Sequence, residues 1–253
     1  WWSHDIGGHM GSKGDPELYT RWVQLGVFSP VNRLHSTRDK WSKEPWLYGE
    51  EAEKIVTDFL RLRHRLLPYL YTANVLTATE GKPLVMPMYY LNDCREAYEA
   101  TNQFYFGTEM IVAPVLTPKD KQGMSAVDVW LPKGNWMDFF TREIYEGGQS
   151  YHLQVPMERI PVFVKEGGIV PMLLQGETND QSFEELELLC YAGDGEYRIY
   201  DETGYMDVSM KVTGDCAKIE LKPQDGFITK RIRVKVLGAS VYDIEHPHEI
   251  EIL

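Results

Sequence analysis

Two short clusters near the start of the chain carry the residue types and spacing that could do chemistry. They are Trp1-Trp2-Ser3-His4-Asp5-Ile6-Gly7-Gly8-His9-Met10-Gly11 and Asn32-Arg33-Leu34-His35-Ser36. Each follows an apolar stretch or begins inside one. In a parallel barrel the loops after the strands hold the side chains that touch substrate. A carboxylate at Asp5, at a strand end, can accept hydrogen bonds from sugar hydroxyls, and the paired glycines behind it let the backbone turn without obstruction. The alternative is that Asp5 only caps its own turn. Arg33 and His35, two apart on an extended segment, face the same way and can enter one pocket. There His35 could donate to a hydroxyl and Arg33 could orient a carboxylate through two parallel bonds. Equally, Arg33 could pair with a structural acid and His35 could satisfy a buried carbonyl. His4, Asp5, His9 and His35 are also zinc-ligand types, but their spacing matches no ligand pattern such as His-Glu-x-x-His. No metal and no cofactor is expected.

The elements that must position these clusters read as α/β. Asp15-Pro16-Glu17 combines an N-cap, a proline at the first helical position and a first-turn acid, and opens a helix that ends near Gly26. Val27-Phe28-Ser29-Pro30 then reads as a short buried strand leading into the second cluster. Residues 36–48 form a loop in which Trp41, Trp46 and Tyr48 could stack on a sugar ring or lie beneath the long helix that follows. Over residues 50–79 apolar side chains recur at helical spacing, with Glu50, Glu51 and Glu53 at the dipole's positive end and Pro68 as a break or kink. Arg61, Arg63, His64 and Arg65 are expected to be solvated or paired with acids. After Gly81-Lys82-Pro83 the pattern changes to short apolar or alternating runs divided by Gly, Pro and Asp turns, as in antiparallel sandwiches. A polar seam at residues 173–182 divides these runs into two sets.

Composition narrows the function. The 253 residues are 43% hydrophobic and 25% charged, with a formal net charge of -12, which argues against nucleic acid or an anionic membrane surface as partner. A neutral ligand suits this charge better. The three cysteines, Cys94, Cys190 and Cys216, are widely spaced and read as reduced and structural. No apolar run approaches the ~20 residues of a membrane span. The chain is taken as cytoplasmic, and a leader upstream of Trp1 would leave no trace in this sequence. Because Trp1 already lies inside an apolar run, the chain reads as the C-terminal portion of a larger enzyme. Some 85 residues supply only two to three of a barrel's eight units. Their apolar faces need partners, so this segment alone is expected to be unstable.

The ordered motifs together resemble a known family. They begin with Trp2-Ser3-His4-Asp5-Ile6-Gly7-Gly8, Glu17-Leu18-Tyr19-x-Arg21-Trp22-x-Gln24-x-Gly26-x-Phe28-Ser29-Pro30 and Arg33-Leu34-His35. Glu44-Pro45-Trp46, Arg65-Leu66-Leu67-Pro68-Tyr69-Leu70-Tyr71 and Gly107-x-Glu109-Met110-x-Val112-Ala113-Pro114-Val115 follow. Leu131-Pro132-x-Gly134-x-Trp136-x-Asp138-Phe139, Ile160-Pro161-Val162-Phe163-Val164-Lys165-x-Gly167-Gly168-Ile169-Val170-Pro171 and Asp194-Gly195-Glu196-Tyr197-x-Ile199-Tyr200-Asp201-Glu202-x-Gly204 complete the set. These are similar to family 31 glycoside hydrolases, the α-glucosidase and α-xylosidase group. The resemblance implies the closing units of a (β/α)8 barrel over residues 1–85, a proximal antiparallel β-sandwich over 86–173 and a distal one over 174–253. It implies a retaining α-glycosidase whose nucleophile and acid/base Asp lie upstream, so that this chain alone is inactive and contributes no catalytic residue. Asp5 and His35 match positions that hydrogen-bond the sugar, with Arg33 in support. His9 departs from the aromatic residue that often follows Ile-Gly-Gly, and Val31-Asn32 differ from the commoner aromatic-Arg run. The implied partners are an oligosaccharide or α-glycoside and the N-terminal part of the same enzyme; a homo-oligomer is left open. Two other readings use the sandwiches differently: a carbohydrate-binding module with Trp130, Trp136 and Tyr145 as an aromatic platform, or a scaffold bracing the last barrel loops.

Overall fold

Asp15 starts the first helix as its sequence dictates. Its carboxylate accepts from the amides of Glu17 at 2.9 Å and Leu18 at 3.1 Å, and Pro16 opens α1 (Pro16–Val27). The chain is described from a computed structural model covering residues 1–9, 14–37, 42–175, 183–224 and 226–253. On either side of α1 two extended segments pair in parallel, Ser3 with Val31 and Ile6 with Leu34, and the Ile6 amide donates to the Arg33 carbonyl at 3.2 Å. Strand, helix and parallel strand make one βαβ unit. Gly26 lets the helix lie close on the strand. A Cβ there would come within 2.4 Å of Cδ1 of the fully buried Ile6.

Residues 27–30 are not the expected strand. Val27 is the last residue of α1, and the amides of Phe28 and Ser29 bond back to Leu25 at 3.1 Å and Gly26 at 3.1 Å, so pairing begins only at Val31. The run is apolar because the helix end is packed there, and a short apolar run does not distinguish a buried turn from a buried strand. The long helical stretch divides at Leu66 into α2 (Glu50–Arg65) and α3 (Leu67–Glu80), with Pro68 in the first turn of α3, where its missing N–H costs nothing.

Beyond Gly81 the chain is largely strand. In order come β1 (Val85–Pro87), α4 (Arg95–Glu99), β2 (Phe104–Phe106), β3 (Met110–Val112), β4 (Met124–Leu131), β5 (Asn135–Asp138), β6 (Ile144–Glu146), β7 (Gln149–Pro156), β8 (Val162–Lys165) and β9 (Ile169–Leu173). Then follow β10 (Glu185–Tyr191), β11 (Gly195–Tyr200), β12 (Tyr205–Thr213), β13 (Cys216–Pro223), β14 (Arg231–Leu237), β15 (Val241–Glu245) and β16 (Glu251–Ile252). A six-stranded sheet of order β1-β2-β3-β8-β5-β6 faces the antiparallel ribbon β4-β7. Ile111 and Phe163 of the sheet pack there against Val127, Val129 and Val155 of the ribbon. The sheet's other face, through Phe106, Met110 and Val164, joins Phe59, Leu66 and Tyr69 of the helices and Leu188, Ile199 and Val208 of the last segment in one continuous core. Gly107, with φ +63°, turns β2 into β3 directly over the Tyr69 hydroxyl, where a Cβ would sit 2.1 Å away.

The last segment corrects the expectation of a purely antiparallel second sandwich. Its two sheets, β16-β14-β10-β9 and β11-β12-β13-β15, are mixed: β14 runs parallel to β10 and β16, and β15 parallel to β13. Between β10 and β14 the chain builds β11, β12 and β13 in the other sheet. It therefore returns to the first sheet by a long crossover, the connection that parallel neighbours require. β9 is paired with β10 from Leu186↔Leu173 to Cys190↔Ile169, so this sheet spans the polar seam. The proposed aromatic platform is also absent. Trp130 and Trp136 are only 9% and 5% exposed and belong to the core between sheet and ribbon, while Tyr145 packs edge-on against Phe163. All three cysteines are free, and burial pushes the Cys190 thiol up to about 12. No helix among the described residues is long and apolar enough to cross a membrane.

Candidate functional site

The turn after the first strand decides what Asp5 can do. The Gly8 amide donates to the Asp5 carbonyl at 2.9 Å, with Gly7 at φ +84° and Gly8 at +89°. The turn is closed by backbone alone, which leaves the Asp5 carboxylate for other partners. Its Oδ1 accepts from Nη2 of Arg33, on the neighbouring parallel segment, and its Oδ2 lies 2.8 Å from His9 Nδ1. The His9 ring stacks on His35 with centroids 5.1 Å apart and planes 26° apart. The structure thus brings Asp5, Arg33 and His35 together at the end of the parallel pair and adds His9 to them. The acid that Arg33 finds is Asp5 itself, half-buried at the same strand end. Sequence spacing gave no pattern for a cation site. Across the two segments, however, Asp5, His9 and His35 each offer one donor atom, all within 4.8 Å of one another.

The residues around this cluster fix its strands. His4 turns away from it: Trp22 Nε1 donates to His4 Nδ1 at 2.8 Å, so the ring's other nitrogen carries the proton and donates to Ser29 Oγ at 3.0 Å. Ser29 Oγ passes the chain on to the Leu25 carbonyl at 3.0 Å. Burial outweighs the nearby Asp5 carboxylate and holds the His4 pKa below its usual value, which suits a neutral structural histidine. Beneath the glycine turn, a Cβ on Gly7 would meet Lys43 Cδ at 2.9 Å. The Tyr19 hydroxyl donates to the Lys43 carbonyl at 2.6 Å, and Tyr48 stacks on Tyr19 with centroids 3.8 Å apart. Tyr48 is therefore core, Trp46 is 63% exposed, and Trp41 lies outside the described residues.

Arg63, expected among solvated or acid-paired side chains, does something else. From α2 it donates to the carbonyls of Val27 at 2.7 Å, Ser29 at 2.6 Å and Pro30 at 2.8 Å, and so clamps the turn that feeds Val31 and the second cluster. Arg65 meets the expectation by pairing with the buried Glu187. Arg21, part of the motif over residues 17–30, is 7% exposed and reaches across to a distant loop. Its Nη1 donates to the carbonyls of Arg159 at 2.7 Å and Pro156 at 3.2 Å, while Gln24 Nε2 donates to Met157 at 2.8 Å, so α1 is tied to the loop after β7. No local sequence signal marks an arginine that caps carbonyls more than a hundred residues away.

The glycosyl hydrolases family 31 TIM-barrel domain matches residues 1–73, and the family's C-terminal domain matches residues 81–170. An alpha-glucosidase 2 of Bacillus thermoamyloliquefaciens is 31% identical over 79% of this chain and 25% of its own length. An alpha-xylosidase of Saccharolobus solfataricus is 31% identical over 81% of this chain and 28% of its own. Among solved structures, the family 31 dextranase of Flavobacterium johnsoniae, complexed with glucose, superposes with a TM-score of 0.83 at 29% identity, over 93% of this chain and 32% of its own. The chain therefore spans about a quarter to a third of the length of these relatives. Two models of one family, met in order along the chain, and the superposition over nearly all of it lead to one conclusion: the chain belongs to glycoside hydrolase family 31.

Proposed function

We propose that this chain is the C-terminal part of a retaining, α-glucosidase-like α-glycosidase that hydrolyses terminal α-linked sugars by double displacement. In this reading residues 1–85 are the closing units of the (β/α)8 barrel, the sandwich that follows is the proximal one, and the distal one comprises residues 174–253 together with β9, which pairs with β10. The nucleophile and the acid/base Asp lie on barrel strands upstream. One carboxylate attacks the anomeric carbon while the other protonates the leaving oxygen. Water then releases the sugar with that second group acting as base, the two carboxyls standing ~5 Å apart. This chain's own part is to hold the sugar. Asp5 accepts hydrogen bonds from ring hydroxyls, His35 donates to one, and Arg33 holds the Asp5 carboxylate in place through its hydrogen bond.

The observation that carries this reading is the backbone-closed turn at Asp5-Ile6-Gly7-Gly8. It leaves a carboxylate free of its own turn at the end of the extended segment, where it meets only the side chains of Arg33 and His9. The bonds of Arg21 and Gln24 to the loop after β7 favour a bracing role for the sandwiches. The test uses the complete enzyme. Asp5→Asn and His35→Ala are each expected to lower kcat/KM by roughly 2–3 kcal/mol, about a hundredfold, while para-nitrophenyl α-glucoside gives the α-anomer first by NMR. Wild-type kinetics in either variant would remove that residue from the site, and a β-anomer as first product would end the retaining mechanism.

A further inference from the structure

We infer that Asp5, His9 and His35 form a binding site for one divalent transition-metal ion of the zinc class. The donors are a carboxylate oxygen and two imidazole nitrogens, gathered within 4.8 Å of one another from two segments that pair in parallel. Zinc held by bonds of ~2.0–2.2 Å sets tetrahedral donor separations of roughly 3.4 Å, so modest ring rotations close the site and a water completes it. The Asp5 carboxylate divides its work to suit: Oδ1 is taken by Arg33, while Oδ2 faces His9. The three side chains are already in mutual contact: His9 Nδ1 lies 2.8 Å from Asp5 Oδ2, and the His9 ring stacks on His35 with centroids 5.1 Å apart. Imidazole donors select zinc, nickel or copper over magnesium or calcium. The Arg33 guanidinium beside the carboxylate opposes a second cation and weakens its binding. His9 is the decisive ligand to vary, because it is the donor of the three that has no part in the proposed sugar contacts.

A metal at Oδ2 and His35 would occupy the groups assigned above to the sugar, so it should inhibit competitively; this consequence rests on the proposed function. The experiment uses the untagged complete enzyme, with zinc partitioned against a chromophoric chelator. One zinc ion is expected to bind, and affinity should fall at least about tenfold in both His9→Phe and His35→Gln, with magnesium and calcium failing to compete. Cys216 and the His246-Pro247-His248 segment are other exposed donors. Unchanged zinc affinity in folded His9→Phe would assign the ion to those donors and overturn the inference. Zinc that is lost in His9→Phe, yet leaves KM for the glycoside unmoved in the wild type, would sustain the metal site and defeat the sugar-contact reading. No zinc binding, together with a large kcat/KM loss in Asp5→Asn, would do the reverse.

Discussion

Replacing Arg63 with Met should damage the site without touching any residue in it. Burial holds the Arg63 pKa at about 10, so the guanidinium remains charged at neutral pH, and it satisfies three carbonyls of the turn between α1 and Val31. A hydrogen bond from a charged donor contributes about 1.5–3 kcal/mol, and a buried carbonyl left unpaired costs about 1–3. Removing the buried charge returns part of this, because its own desolvation is costly. The net loss is then about 3–5 kcal/mol. At roughly 2 °C per kcal/mol for a unit of this size, Tm should fall by roughly 6–10 °C. Arg63→Lys should fall about half as far, since one ammonium cannot span the fork of three carbonyls. The turn delivers Arg33 and His35 to the site, and a displacement of about 1 Å there is enough to lower kcat/KM by about a hundredfold. Calorimetry and steady-state kinetics on the complete enzyme check both parts. Should Arg63→Met melt within about 1 °C of wild type, the clamp would be ornamental and this reasoning wrong.

Two further perturbations probe different parts of the structure. Gly107→Ala combines a left-handed φ of +63° with a Cβ placed 2.1 Å from the Tyr69 hydroxyl, which already donates to the Phe106 carbonyl at 2.7 Å. Strain and overpacking together should cost roughly 2–4 kcal/mol in urea unfolding, and an unshifted midpoint would contradict the packing described. His4 gives a pH dependence whose sign is fixed. Its folded pKa is depressed, so below the usual 6.5 the unfolded chain takes up a proton that the folded ring resists, and stability falls as pH drops through that value and is constant above it. The Tm advantage of wild type over His4→Asn should therefore narrow between about pH 8 and about pH 5.5, and a gap that widens would refute the neutral assignment.

Strand and helix signals in this sequence were legible where one physical cause acted alone. The cap at Asp15, the break at Pro68 and the alternating strands from β11 to β14 all follow from local stereochemistry or a single buried face. Residues 27–30 misled because their apolar character comes from a packed helix end. β7 and β15 carry no such signal, because their side chains are mostly exposed and no apolar alternation marks them. Their pairing is decided by partners far away in sequence. The parallel pairing of β10 with β14 was illegible for the same reason: alternation gives the face of a strand, not the direction of its neighbour.

Polar motifs show the same division. Asp5, Arg33 and His35 could be singled out, but whether Asp5 was spent on its own turn depended on one backbone bond that no residue type encodes. Asp201, in the closing hairpin motif, is a buried carboxylate whose Oδ1 accepts from the amides of Thr203 at 2.8 Å and Gly204 at 2.7 Å and whose Oδ2 accepts from Ile228 at 2.7 Å. Glu109, even more deeply buried, holds Lys165 at 3.0 Å and accepts from the Ile169 amide at 3.2 Å, and so joins β3 to β8 and β9. Such acids are recognisable as motif and yet serve the fold, because a buried carboxylate is tolerable only when its lone pairs are filled. Asp5 differs from both in how its oxygens are used. Asp201 and Glu109 accept backbone amides that fix loops and strands, whereas the Asp5 oxygens face only side chains, Arg33 and His9, at the open end of a strand pair. That contrast leaves Asp5 with a capacity for a ligand that Asp201 and Glu109 lack.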